Sequence, residues 1–243
     1  MHLKEVSLDV WADFACFSQP AAKVERMTYP FPTPSAARGI LSAIYMKPAE
    51  FHWEIRRIEV MKPIRYISFV RREMSSTLSE KSEKSEYTSD DLITLDDYVI
   101  KRTDGKEKIV YKHHTLRQTV ALQDVYYRIT AAIVPQPAFQ DKTEQLYEQA
   151  MRRIRVGKCY FQPAMGNREF VAYFKECDET MHPIDESLDA GWMLYDVFDL
   201  NDCAVHKKAQ PKISMFQAVM KHGVIEIPPY ESADVRKGGE AMC

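Results

Sequence analysis

Lysine and arginine make up 33 of the 243 residues, and they fall in clusters. Lys23 and Arg26 precede a stretch, YPFPTPSAARGILSAIYMKP (29–48), that carries Arg38, Tyr45 and Lys47. Lys101, Arg102, Lys106, Lys108, Lys112 and Arg117 form a second group. Arg152, Arg153, Arg155, Lys158 and Arg168 form a third. Each group alone reads as a solvated face. Together, interleaved with 13 tyrosines and 11 phenylalanines, they could form a track for phosphates with rings on which bases stack. The formal net charge is −2, so nucleic-acid binding would need a local basic surface.

Other chemistries are poorly supplied. Of seven histidines only His113 and His114 are neighbours, and adjacent strand residues point to opposite faces, which makes a shared metal difficult. Cys16, Cys159, Cys177, Cys203 and Cys243 contain no C-x-x-C spacing, which disfavours zinc. Their odd number, with no recognisable signal peptide, fits a reducing cytoplasm. Only eight glycines are present, with no G-x-G-x-x-G, G-K-[ST] or G-x-S-x-G, so neither a nucleotide loop nor a nucleophile elbow is expected. His52 and Glu54 lie two apart on a strand and read as one polar face. No cofactor is expected. No apolar run approaches the roughly 18 residues of a membrane span.

The elements that would position these groups alternate. Val6, Leu8 and Val10 mark a strand within 3–17. Thr33 and Pro34 open a helix, Ala37, Ile40, Leu41 and Ile44 give its buried face, and Pro48 closes it. Residues 51–70 read as a long strand bent at Pro63. The polar stretch 71–97 reads as an exposed insertion, and 98–114 as a hairpin turning at Thr103-Asp104-Gly105. Residues 117–134 give the strongest strand signal. A second helix spans about 141–156, with an Asp141/Glu144 capping pattern, a buried stripe of Tyr147, Ala150, Met151 and Ile154, and Gly157 at its end. Strands follow at 167–176, 192–200 and 212–228, the last with a turn at His222-Gly223. This order predicts an α+β fold: a ferredoxin-like βαββαβ domain over 1–178, with an inserted basic hairpin at about 71–116, and a smaller antiparallel β extension over 179–243. Topology alone assigns no function.

Three stretches carry a resemblance. KVERMTYPFPTPSAARGILSAIYMKP with WEIRRIEVMKPIRY, then GKCYFQPAMGNREFVAYF, then QAVMKHGVIEIP, occur in an order that resembles the CRISPR-associated Cas-five family of subtype I-C. The second stretch is similar to that family's G-x-C-F-x-x-P-x-x-G-x-R-E-F segment. The resemblance implies a ferredoxin-like RNA-recognition domain. It implies a subunit that cuts precursor CRISPR RNA at the repeat hairpin, keeps the 5′ handle, and joins Cas-seven backbone subunits and a large subunit, meeting target DNA through that assembly. The implied cut is metal-independent: the ribose 2′-OH attacks its own phosphate, leaving a cyclic phosphate and a 5′-OH. Such a cut needs a base, a cation and an acid.

Carried onto this chain, the resemblance assigns a catalytic tyrosine to Tyr45. It also implies a Lys-His pair near the start of the second helix. There Lys142 matches in part, Thr143 follows it, and His113 or His114 could supply the imidazole. The RNA contacts expected from the basic clusters are Lys23, Arg26, Arg38, Lys47, Lys108, Lys112, Arg117, Arg152, Arg153 and Arg168. The alternative is a non-catalytic assembly subunit that binds the 5′ handle.

Overall fold

The computed structural model describes residues 3–22, 25–74, 98–103, 106–111, 114–200 and 212–238. The chain divides into two units, one of Met1–Ile67 and Val120–Cys243, the other of Ser68–Thr119. The elements are β1 (Lys4–Ala15), β2 (Arg26–Met27), α1 (Pro34–Ile44), β3 (Phe51–Val60), β4 (Tyr66–Met74), β5 (Tyr98–Thr103), β6 (Lys106–Tyr111) and β7 (His114–Pro135). A 3₁₀ turn (Pro137–Lys142) then leads into α2 (Thr143–Arg155), followed by β8 (Tyr173–Glu176), β9 (Leu188–Asp196), β10 (Ser214–Lys221), β11 (Val224–Glu226) and β12 (Val235–Lys237).

The fold is mixed α and β, built on a mostly antiparallel sheet. Its strands run β12-β10-β11-β3-β7-β1-β8, with β9 on β10 and with β2 and β4 on β7. β7 is antiparallel to both β1 and β3, so β1 and β3 run the same way. The C-terminal strands continue this sheet, because β11 pairs with β3 from Val224↔Glu59 to Glu226↔Arg57.

α1 follows from its sequence. The Thr33 hydroxyl accepts from the Ala36 N–H at 3.1 Å, and Pro34 starts the helix where a missing N–H costs nothing. Ala37, Ile40, Leu41 and Ile44 are buried in the core with Val6, Leu8 and Val10 of β1. Burial of each large aliphatic side chain contributes about 1.5–3 kcal/mol. Tyr45 is already extended, at φ −147° and ψ 121°, so the helix ends at Ile44, four residues before Pro48.

Four expectations change. The strand expected over 51–70 is broken into β3 and β4, with Pro63 in the interruption, where proline has no N–H for the ladder. Asp141 does not cap α2. It lies in the 3₁₀ turn, and the cap position falls to Lys142, whose side chain makes no capping bond. The strand expected from 167 shortens to β8, because 167–170 turn so that the Met165 N–H can bond the Phe170 carbonyl at 2.8 Å. The buried side of α2 is Leu146, Ala150, Arg153 and Ile154, which puts an arginine where the sequence pattern placed Tyr147 and Met151. In the smaller unit β5 and β6 pair from Tyr98↔Tyr111 to Thr103↔Lys106 as the expected hairpin. Among the described residues no helix is long and apolar enough to cross a membrane.

Candidate nucleic-acid interface

The C-terminal ends of α1 and α2 meet, and both carry the negative pole of a helix dipole. A buried cation joins them. Arg153 of α2 donates from Nη1 to the Ile44 carbonyl at 3.1 Å. Its guanidinium carbon lies 5.6 Å from the centre of the Tyr45 ring and 4.1 Å from that of Tyr160. Its Nε is buried and has no hydrogen-bond partner among the described residues.

Tyr45 is 2% exposed. Its ring packs 5.3 Å from Phe51, which meets Trp53 edge-on, and the Trp53 indole N–H returns to the Tyr45 carbonyl at 2.8 Å. Burial pushes the Tyr45 phenol above its ordinary pKa, against the opposing pull of Lys47 and Arg153. The phenol is therefore protonated at neutral pH, a hydrogen-bond and proton donor rather than a ready base. The exposed Lys47 ammonium bonds both Glu50 carboxylate oxygens, at 2.9 and 3.1 Å, and that contact raises its pKa.

The segment after α2 completes the surface. Gly157 takes φ +67°. Its N–H bonds the Ile154 carbonyl at 3.1 Å, and the Lys158 N–H bonds that of Arg153 at 2.9 Å. This left-handed cap turns the chain sharply off the helix. The N–H groups of Tyr160 and Phe161 then both point at the Ala43 carbonyl, at 2.8 and 3.4 Å. Further on, Gly166 takes φ +80° against the end of β1, where any Cβ would overlap the Cys16 carbonyl. The 157–172 segment is thus fastened to both α1 and β1. It presents Tyr160 and Phe161 to solvent, with exposed Arg152, Val156 and Lys158 at the helix end and the turn that precede them. The Lys158 ammonium has no carboxylate partner among the described residues, and Arg152 bonds only the Gln149 amide oxygen, at 3.1 Å.

The other expected residues disperse. Arg38 makes a bidentate ion pair with buried Asp196, at 2.7 and 2.9 Å, under the Phe198 ring. Asp196 also accepts from the N–H groups of Val197 and Phe198. The charge of Arg38 is therefore neutralised inside the fold. Arg38 and Tyr45 are seven residues apart, but they do not share a helix face, because Tyr45 has left the helix. Lys142 sits under the Phe139 ring at 5.0 Å, at the far end of α2. Eleven residues at 1.5 Å each separate it from Arg153, about 16 Å along the axis. Arg26 lies 3.6 Å from Glu169, and Arg168 is exposed in the adjoining turn. Lys108 on β6, and His114 and Arg117 in the first residues of β7, fall in the smaller unit. Lys23, Lys112 and His113 lie outside the described residues.

A second aromatic surface was not foreseen. Trp11 of β1 stacks between Tyr126 of β7 at 5.7 Å and Tyr173 of β8 at 6.0 Å. The three rings share the sheet face opposite Val10. The signal was the alternation in β1, where an aromatic occupies the polar-side register.

A family model described as CRISPR-associated protein (Cas_Cas5), of the Cas5d group, matches residues 6–228. The chain belongs to the Cas5d family. It is 36% identical over 241 residues to a Mannheimia succiniciproducens protein named CRISPR pre-crRNA endoribonuclease Cas5d, covering 96% of this chain and 98% of that one. A Thermus thermophilus protein of the same name is 34% identical over 200 residues, covering 82% and 76%. A crystal structure titled as a CRISPR-associated protein superposes with a TM-score of 0.61 at 19% identity, covering 97% of this chain and all of that one. That last likeness concerns the fold.

Proposed function

We propose that this chain is a CRISPR pre-crRNA endoribonuclease that cuts repeat RNA and keeps the 5′ handle. The observation that carries the reading is the near full-length identity to relatives bearing that name. The joined helix ends support it, with a phenol, a buried guanidinium and unpaired surface cations gathered around exposed rings. In this reading the chemistry is a metal-independent attack of the 2′-OH on its own phosphate. Tyr45, protonated, donates to a phosphate oxygen or to the leaving 5′-oxygen, while Lys47 and Arg153 offset the developing phosphorane charge. The base would come from outside this cluster, and His113 and His114 remain the imidazoles to test.

The βαββαβ core we propose is β1-α1-β3-β7-α2-β8. Its sheet order β3-β7-β1-β8 and strand directions support a ferredoxin-like RNA-recognition domain ending near residue 178, with β9–β12 as an extension and 71–116 as an insertion. The proposed partners are the repeat hairpin and 5′ handle, Cas-seven backbone subunits and the large subunit, in the cytoplasm, with target DNA met through the assembly. A second reading, a non-catalytic handle-binding subunit, draws on the burial of Tyr45 and on the distance of Lys142 from it. Incubating the purified chain with its cognate repeat RNA in EDTA separates the two. One specific cut supports the nuclease, and tight binding without a cut supports the assembly subunit.

A further inference from the structure

We propose that Tyr160, backed by Arg153, is a preformed platform on which one unpaired nucleobase of the RNA stacks, next to the phosphate handled at Tyr45. This deepens the functional reading above and rests on it. The inner face of the ring lies 4.1 Å from the Arg153 guanidinium, yet the residue is 49% exposed, so the open side is the outer face. Three features hold the ring still. Its N–H is bonded to the Ala43 carbonyl at 2.8 Å, Arg153 is itself tied to the end of α1, and the left-handed turn at Gly157 fixes where the segment starts. A ring ordered before binding loses little further freedom when a base arrives.

The surroundings select the occupant. Arg152, Arg153 and Lys158 closely precede the ring in the chain, and Glu50, the acid that acts on the Tyr45 phenol, is held by Lys47. A surface of cations interleaved with exposed rings suits a polyanion with flat bases. The base must be unpaired, because only a splayed base offers a free face. Arg153 lies over both rings, which places this base beside the nucleotide at Tyr45. Stacking on Tyr160 would thereby fix the register of the strand across the cut.

The test uses the full chain and its cognate repeat RNA, with 2-aminopurine placed singly at each nucleotide around the junction. Quenching at one position is expected with the wild-type chain. Tyr160→Ala should abolish that quenching and weaken binding roughly tenfold, while Tyr160→Phe keeps both. An abasic nucleotide at the same position should weaken wild-type binding by a similar factor. This arm carries the test alone if Tyr160→Ala does not fold. Tight wild-type binding with no quenched position, or with abasic substitution harmless everywhere, overturns the platform and leaves the functional reading standing. No binding of repeat RNA by the wild-type chain overturns both.

Discussion

Replacing Arg38 with alanine should unfold the protein more readily and leave its RNA contacts alone. The pair with Asp196 has two short bonds, and the carboxylate is almost fully buried while the arginine is 22% exposed. Removing one partner of a buried pair costs about 3–5 kcal/mol, because the other charge stays behind without compensation. Here Asp196 keeps two backbone donors, so the loss belongs at the low end, about 3 kcal/mol. In a domain of this size each kcal/mol moves Tm by roughly 2–4 °C, which gives a fall of about 6–12 °C. Urea melts and thermal scans at equal protein concentration measure it. Binding of repeat RNA to the folded variant, titrated with salt, should keep the wild-type slope. An unchanged Tm together with a salt slope lower by about 0.7, the value for one contact to a single strand, would refute the reasoning and make Arg38 a phosphate ligand after all.

Lys158→Ala should do the opposite, leaving the unfolding free energy within about 0.5 kcal/mol of wild type while lowering the salt slope by about 0.7; an unchanged slope removes Lys158 from the interface. Gly166→Ala should cost more than about 2 kcal/mol, since a new Cβ meets the Cys16 carbonyl at positive φ, and a wild-type urea midpoint would contradict this. Burial, and then the Asp9 carboxylate, push the Cys177 thiol up to about 11 from 9.0. The folded state therefore favours the neutral thiol. The unfolded chain loses its proton first, so this contribution is full below pH 9 and is lost as pH rises towards 11. Thermal scans across that range should show a smaller decline for Cys177→Ser than for wild type.

Much of the frame was legible in the sequence. Thr33 and Pro34 mark the start of α1, its apolar spacing names its buried face, and the alternation of β1 and β7 gives the two strands that pair at the sheet centre. The helix ends were harder to read. Nothing local shows that Tyr45 turns extended, because that turn is set by Phe51, Trp53 and Arg153, which arrive from elsewhere in the chain. The fate of Arg38 was equally hidden, since its partner Asp196 lies 158 residues away. Arg153 could have been found. It falls seven residues after Leu146 on the apolar side of α2, and a cation in a buried stripe signals a specific partner. Tyr160 and Phe161 were visible as paired aromatics between Gly157 and Pro163, but their exposure depends on how 157–172 is fastened to α1 and β1.

Cleavage of precursor CRISPR RNA with Tyr45 at the reacting phosphate is what separates the proposed nuclease from a subunit that only holds the handle. Single-turnover cleavage of the cognate repeat RNA in EDTA, with end-group analysis, tests it most directly when wild type and Tyr45→Phe are compared at matched RNA occupancy. One cut by the wild-type chain is expected, leaving a cyclic phosphate and a 5′-OH, with a loss of at least roughly a hundredfold in rate for Tyr45→Phe. Equal rates for the two proteins, or no cut by a wild-type chain that binds the RNA tightly, would contradict it.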